Sequence, residues 1–356
     1  MAKQDGKRIP SLDGLRGLSI VAVLFTHITS HFPHSILHVR FLRMVSAGLG
    51  YFGVTTFFVI SGFLITKLLL NERERTGRVS LGGFYRRRAV RILPAFLLYV
   101  AFVVYFGHPT VVQQLYALTF TTSFAFEHAY RPLQQLWSLS VEEQFYLVWP
   151  LLMARNLLNA RRACWWAMIA CPVLRLLLKL YGYRGYSILG PAILDSLAAG
   201  CLLAFYHDKV RNWVRRLLPS GLFFVCACIA TVCVALVLYR LGVVLLFGVV
   251  PCMLAATIAA AIERKDPVLN AGPLAWSGRL SYSLYLWQQP MLLMDGPLDV
   301  VAVRLPLAFL AALISYRFVE QPALRMLARA PRQSVTIYAP PEEVPDTSPC
   351  SSPLNS

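Results

Sequence analysis

The chain has 356 residues, 57% of them hydrophobic and only 14% charged, with a net charge of +17 from 34 Lys and Arg against 17 Asp and Glu. Soluble domains carry about 25% charged residues, so this composition excludes an ordinary soluble protein and points to one membrane bundle using the whole length. The basic excess fits the Lys and Arg that gather in cytoplasmic loops better than a nucleic-acid surface, and such loops can also hold anionic headgroups or a phosphorylated cosubstrate.

Ten apolar segments approach the roughly 20 residues that a bilayer core requires. They cover about 11–31, 48–70, 89–107, 138–154, 163–180, 187–206, 220–239, 243–262, 276–294 and 300–319. Closed backbone hydrogen bonding makes them helices, so the fold class is all-α, a polytopic bundle. The fifth and sixth are interrupted by Arg175 and Asp195. A basic start before an apolar run suggests a signal peptide, yet Asp13 and Arg16 break the run and no small-residue cleavage site follows. The first segment therefore reads as an uncleaved span. With a cytoplasmic N-terminus, 23 Lys and Arg fall inside and 7 outside. That asymmetry places both termini in the cytoplasm.

Segment 108–137 is the longest outside stretch, rich in aromatic residues, and suits an interfacial helix or a cap over a cavity. Residues 1–328 form the transmembrane domain, and the Pro/Ser-rich 329–356 reads as a disordered cytoplasmic tail. Eight cysteines show no CxxC or Cys/His ligand spacing and read as packing residues and free thiols. His31, His34 and His38 lack an accompanying carboxylate, so no metal site is expected.

Arg16 and His27 lie eleven residues apart in the first segment. At about 100° per residue they share one stripe, roughly 16 Å apart along the axis. Ionisable groups inside a span read as functional by default. Asp13, three residues before Arg16, can pair with it and fix its rotamer. In FYRRRAVRILP, Arg88 and Arg91 stand i,i+3 at the start of the third segment, suited to phosphate. Arg86 and Arg87 read as a headgroup anchor. In LWSLSVEEQFYLVWP, Glu142 and Glu143 open an apolar run; at least one must face the bundle interior, where a carboxylate could orient His27. Trp137 and Trp149 suit an interfacial belt. Asp195 is a lone carboxylate with Arg175 as a possible partner, and Tyr285, Tyr282, Ser281 and Ser283 present hydroxyls on two helix faces. These charges fit an enzyme as well as a transporter or flippase for a lipid-linked or small polar substrate. A non-catalytic scaffold leaves the titratable set unused.

Taken in order, LDGLRGLSIVAVLFTH, GYFGVTTFFVISGFLI, FYRRRAVRILP, LWSLSVEEQFYLVWPLL, SYSLYLWQQP and RFVEQP resemble the membrane acyltransferase-3 family of multi-pass O-acyltransferases. The resemblance covers nearly the whole chain and decides for the enzyme. It implies a cell (inner) membrane location and no permanently bound cofactor. It implies an acyl-CoA cosubstrate, acetyl-CoA above all, and an acceptor hydroxyl on a sugar, glycolipid or glycosylated metabolite. It implies that His27 is the catalytic histidine and that Arg16, Arg88 and Arg91 belong to the donor-binding motifs; Glu142 or Glu143 is expected to orient His27. Asp13, Ser61, Trp137, Ser138, Asp195 and Tyr285 are the supporting positions. The Arg16–His27 separation is comparable to an extended pantetheine arm. Where the family often has LWHQP this chain has Gln288, so no second histidine acts there. Some members carry an added SGNH esterase-like domain; none is read in this chain, so the acceptor is expected to reach the membrane cavity itself.

Overall fold

In the computed structural model, described residues are 9–31, 40–183, 189–217, 233, 248–264, 268–293 and 301–329, and they contain helices, turns and no strand. The segment expected at 220–239 (Cys233 apart), the tail from 330, and His34 and His38 lie outside them. Five described helical spans are long and apolar enough to cross a membrane: Pro10–Ser30, Val45–Thr76, Leu81–Gly107, Leu157–Leu180 and Val301–Leu327.

Helix α1 (Pro10–His31) starts on a proline, which loses nothing at a position where the amide has no helical partner. Its buried stripe, Leu12, Leu15, Ile20, Val23 and Leu24, follows helical spacing. It packs against α2 (Arg40–Thr76) on one side and α11 (Gly272–Leu292) on the other. Thr26 Oγ1 donates to the Ser46 carbonyl, while Arg16 lies over the Phe57 ring, so α1 and α2 run antiparallel. Ser11 donates to Asn270 at one end, and Val23 and Tyr285 line a common cavity further along. Helices α1 and α11 therefore run in the same direction. They touch so closely that a Cβ on Gly278 would lie 1.7 Å from the Asp13 carbonyl oxygen. Such small-residue contacts replace the hydrophobic drive that lipid does not supply between helices.

Helix α3 (Leu81–Gly107) is capped by Ser80, whose hydroxyl accepts from the Gly83 amide. The aromatic stretch expected as a cap is a set of short turns: α4 (Val111–Leu118), a 3₁₀ turn at Phe126–His128, and α5 (Arg131–Gln134). Phe120 stacks on Phe96 of α3 at 4.8 Å, which ties this layer to the bundle. Helix α6 (Leu136–Arg155) carries both glutamates, and α7 (Leu157–Leu180) follows it after the Asn156 cap.

The sixth expected span is shorter than its apolar run: a 3₁₀ turn at Gly190–Ile193 precedes the 12-residue α8 (Leu194–Phe205). The reason is the buried pair formed there. Arg175 of α7 donates to Asp195 Oδ1 at 3.0 Å and Oδ2 at 2.6 Å, and to the Ala192 carbonyl at 2.6 Å. The 3₁₀ turn supplies that carbonyl. Helix α8 crosses α2 at Gly62 and Gly200, backbone against backbone. Helices α9 (His207–Leu217) and α10 (Val249–Arg264) pack beside it. Helix α12 (Val301–Ser315) lies on α11 and passes through a π-helical turn at Tyr316–Glu320 into α13 (Gln321–Arg329).

Candidate active site

Two adjacent cavities lie among the helices. The first, about 520 Å³ of open space, is lined by Arg16, Val23, Phe57, Phe58, Ser138 and Tyr285, among others. The second, about 530 Å³, adds Ser61, Arg88, Arg91 and Tyr146. Arg16, Leu139, Glu142 and Tyr282 line both. The three arginines singled out in the sequence, which lie on two different helices, thus share one chamber.

The local reasons are helical. Arg88 and Arg91 are one turn apart on α3 and face the same way. Arg16 reaches the chamber from α1, where its Nε is buried without a hydrogen-bond partner among the described residues. Glu142 enters from α6, where both its oxygens are engaged. Ser61 Oγ donates to Oε1 at 2.8 Å and the Tyr146 hydroxyl donates to Oε2 at 3.2 Å. Arg16 and Arg88 are its charged neighbours. Glu143 is the next step round the helix and lies in the electrostatic reach of Arg88, with Oε1 buried and lacking a hydrogen-bond partner among the described residues. A third carboxylate joins them. Glu320, 5% exposed, accepts from Ser283 Oγ at 2.9 Å and has Arg91 and Arg16 as charged neighbours. Three guanidinium groups thus face three carboxylates in a low-dielectric setting, where unbalanced charge would be costly.

His27 is half-buried and is not among the lining residues of either cavity; Val23, one turn before it on the same face, lines the first. The glutamates expected to support His27 lie beside the arginines. Asp13 lies within electrostatic reach of Arg16. Ser138 and the Tyr285 hydroxyl are 3.1 Å apart in the first cavity, and Tyr285 donates to the Gln135 carbonyl. Trp137 meets Phe58 edge-on at 6.2 Å. Trp149 is a correction to the belt reading: it is 5% exposed and its Nε1 donates to Thr66 at 2.9 Å inside the bundle. Asp195 is fully occupied by Arg175, away from both cavities. Arg87, partly exposed, pairs with Glu72 at 3.5 Å.

Sequence reasoning missed Tyr146 and Glu320. Tyr146 follows Glu142 by four residues, so their contact was readable as an i,i+4 pair, but a tyrosine in an apolar run looks like core. Glu320 follows an apolar helix in the RFVEQP block, and nothing local predicts the π turn that presents it. Among the described residues no group of three or more His, Cys, Asp or Glu could hold a metal ion.

Residues 9–316 match the acyltransferase domain family, a set of sequences defined by shared pattern across that length. The peptidoglycan O-acetyltransferase OatA of Listeria monocytogenes is 27% identical over 89% of this chain and 56% of its own length. The O-acetyltransferase OatA of Staphylococcus aureus is 27% identical over 88% of this chain and 57% of its own. The chain thus spans just over half the length of these curated relatives. No solved structure matches it.

Proposed function

The chain belongs to the acyltransferase domain family, and from that premise we propose that it is a multi-pass membrane O-acyltransferase. It moves an acetyl group from acetyl-CoA to a hydroxyl of a carbohydrate, glycolipid or glycosylated metabolite. Two relatives are named as O-acetyltransferases, one of them for peptidoglycan, which supports both the acyl group and the acceptor class.

The observation that carries the reading is the pair of adjacent cavities that share Arg16 and Glu142 in their linings. One is lined by Arg16, Arg88 and Arg91, and the other by Val23, one helical turn before His27. Guanidinium groups recognise phosphate oxygens through paired N–H donors. In this reading the phosphates of coenzyme A sit at the arginines, on the cytoplasmic side that the loop charges favour. The pantetheine arm follows the first cavity along α1, where Arg16 and His27 are about 16 Å apart along the axis. The thioester then reaches the imidazole. His27 takes the proton of the acceptor hydroxyl, whose oxygen attacks the thioester carbonyl. The carbon–sulfur bond breaks, and the coenzyme A thiolate leaves and takes up a proton.

The decisive experiment follows free thiol release by the purified protein in lipid nanodiscs, with acetyl-CoA and a panel of sugar acceptors. Acceptor-dependent release is expected in the parent. His27→Ala is expected to lower it by about 10²–10⁴-fold, the usual contribution of a positioned base, while coenzyme A still binds. Unchanged turnover in His27→Ala would overturn the mechanism.

A further inference from the structure

Arg88 is held in an unusual way. Its guanidinium carbon lies 4.7 Å from the centre of the Tyr146 ring and 5.8 Å from that of Phe84. Among the described residues it makes no ion pair within 4.0 Å and no hydrogen bond, although Glu142 and Glu143 are its charged neighbours. Aromatic faces attract a guanidinium through the ring quadrupole and leave its N–H groups unspent. A carboxylate at contact distance would instead consume two of those donors. Arg88 is thus fixed in space with its hydrogen-bonding edge available to the cavity that it lines.

Tyr146 is itself pinned. It is 5% exposed, and its hydroxyl donates to Glu142, which is fixed in turn by Ser61 of α2. The series Ser61, Glu142, Tyr146, Arg88 joins three helices. We infer that Tyr146 is a positioning residue, whose ring carries Arg88 so that its donors meet an anionic group of the donor. The inference rests on the coenzyme A reading above. It gives Glu142 a task distinct from supporting His27: the carboxylate balances the arginines without occupying the donors of Arg88.

The test separates ring from hydroxyl. Binding of coenzyme A alone is measured by calorimetry, and the KM for acetyl-CoA is read from thiol release. Tyr146→Phe keeps the ring and is expected to stay within about threefold of the parent in both. Tyr146→Leu removes the ring and is expected to weaken coenzyme A binding and raise KM by tenfold or more, with kcat at saturating donor within about threefold. A change confined to folding would lower the yield of active protein instead of shifting Kd and KM. If Tyr146→Leu proves unstable, Tyr146→Trp keeps a ring face and is expected to bind within about threefold. Parent-like binding in Tyr146→Leu, or equal losses in Tyr146→Phe and Tyr146→Leu, would overturn the role of the ring. A parent that binds no coenzyme A would instead remove the donor assignment.

Discussion

Arg175, buried, and Arg88, half-buried, are put to opposite uses. Arg175 spends its guanidinium on Asp195 and the Ala192 carbonyl and has little left to offer. Arg88 rests on rings and keeps its donors. Chemistry therefore concentrates at the second kind. Arg88→Lys keeps the charge but replaces a planar fork with a point charge. A rise of about tenfold in the acetyl-CoA KM is expected, about 1.4 kcal/mol of binding, with little change in kcat; donor titration in the thiol assay checks it. At this scale much was legible. Arg16, Arg88 and Arg91 stood out because charge inside an apolar segment is expensive, and they do line one chamber. What the sequence did not reveal was direction. Glu142 and Glu143 differ by only about 100° round a helix, so spacing alone left open which would touch what. The contacts of Glu142 with Ser61, 81 positions away, depend on how α2 and α6 pack.

At the scale of elements, α7 and α8 depend on a charge pair that a bilayer would punish if broken. Removing one partner of such a pair typically costs about 3–5 kcal/mol, because the other charge remains buried and uncompensated. Asp195→Asn is expected to show a cost of that size as a lowered midpoint of thermal inactivation in detergent. The double variant Asp195→Leu with Arg175→Met, which leaves no orphan charge, is expected to recover most of it. The sequence exposed both residues as interruptions of apolar runs, and the possibility of their pairing could be read. It did not reveal that α8 begins only at Leu194 after a 3₁₀ turn, because apolar content marks what is buried and not where the hydrogen-bond ladder starts. For the same reason, the short elements between α3 and α6 merged into one aromatic stretch. Their boundaries follow from caps such as Thr110 and Gln113, which bond each other reciprocally.

For the whole molecule, the loop charges make a directional statement. Arg78 closes the basic stretch after α2, and Val111 begins the layer at the opposite end of α3, 70% exposed. If positive loops face the cytoplasm, a membrane-impermeant maleimide applied to intact cells is expected to label Val111→Cys above the parent background. Arg78→Cys is expected to react only after permeabilisation. The reverse pattern would invert the bundle and put the arginine chamber on the wrong side for a cytosolic donor. All-helical architecture was legible from composition alone, since hydrocarbon leaves a helical chain few alternatives. The convergence of α1, α2, α3, α6 and α11 around two adjacent cavities was not, because it depends on contacts such as Gly278 against the Asp13 backbone, which leave no periodic trace.

The π-helical turn at Tyr316–Glu320 has a consequence for how this chain can vary. Such a turn holds one residue more than an α-turn accommodates. Losing a single residue there would rewind the segment and swing everything beyond it by about 100°, taking the Glu320 carboxylate off Ser283 and out of the arginines' company. Insertions and deletions can accumulate in surface connections at little cost, but in these five positions the tally of amino acids is itself a constraint.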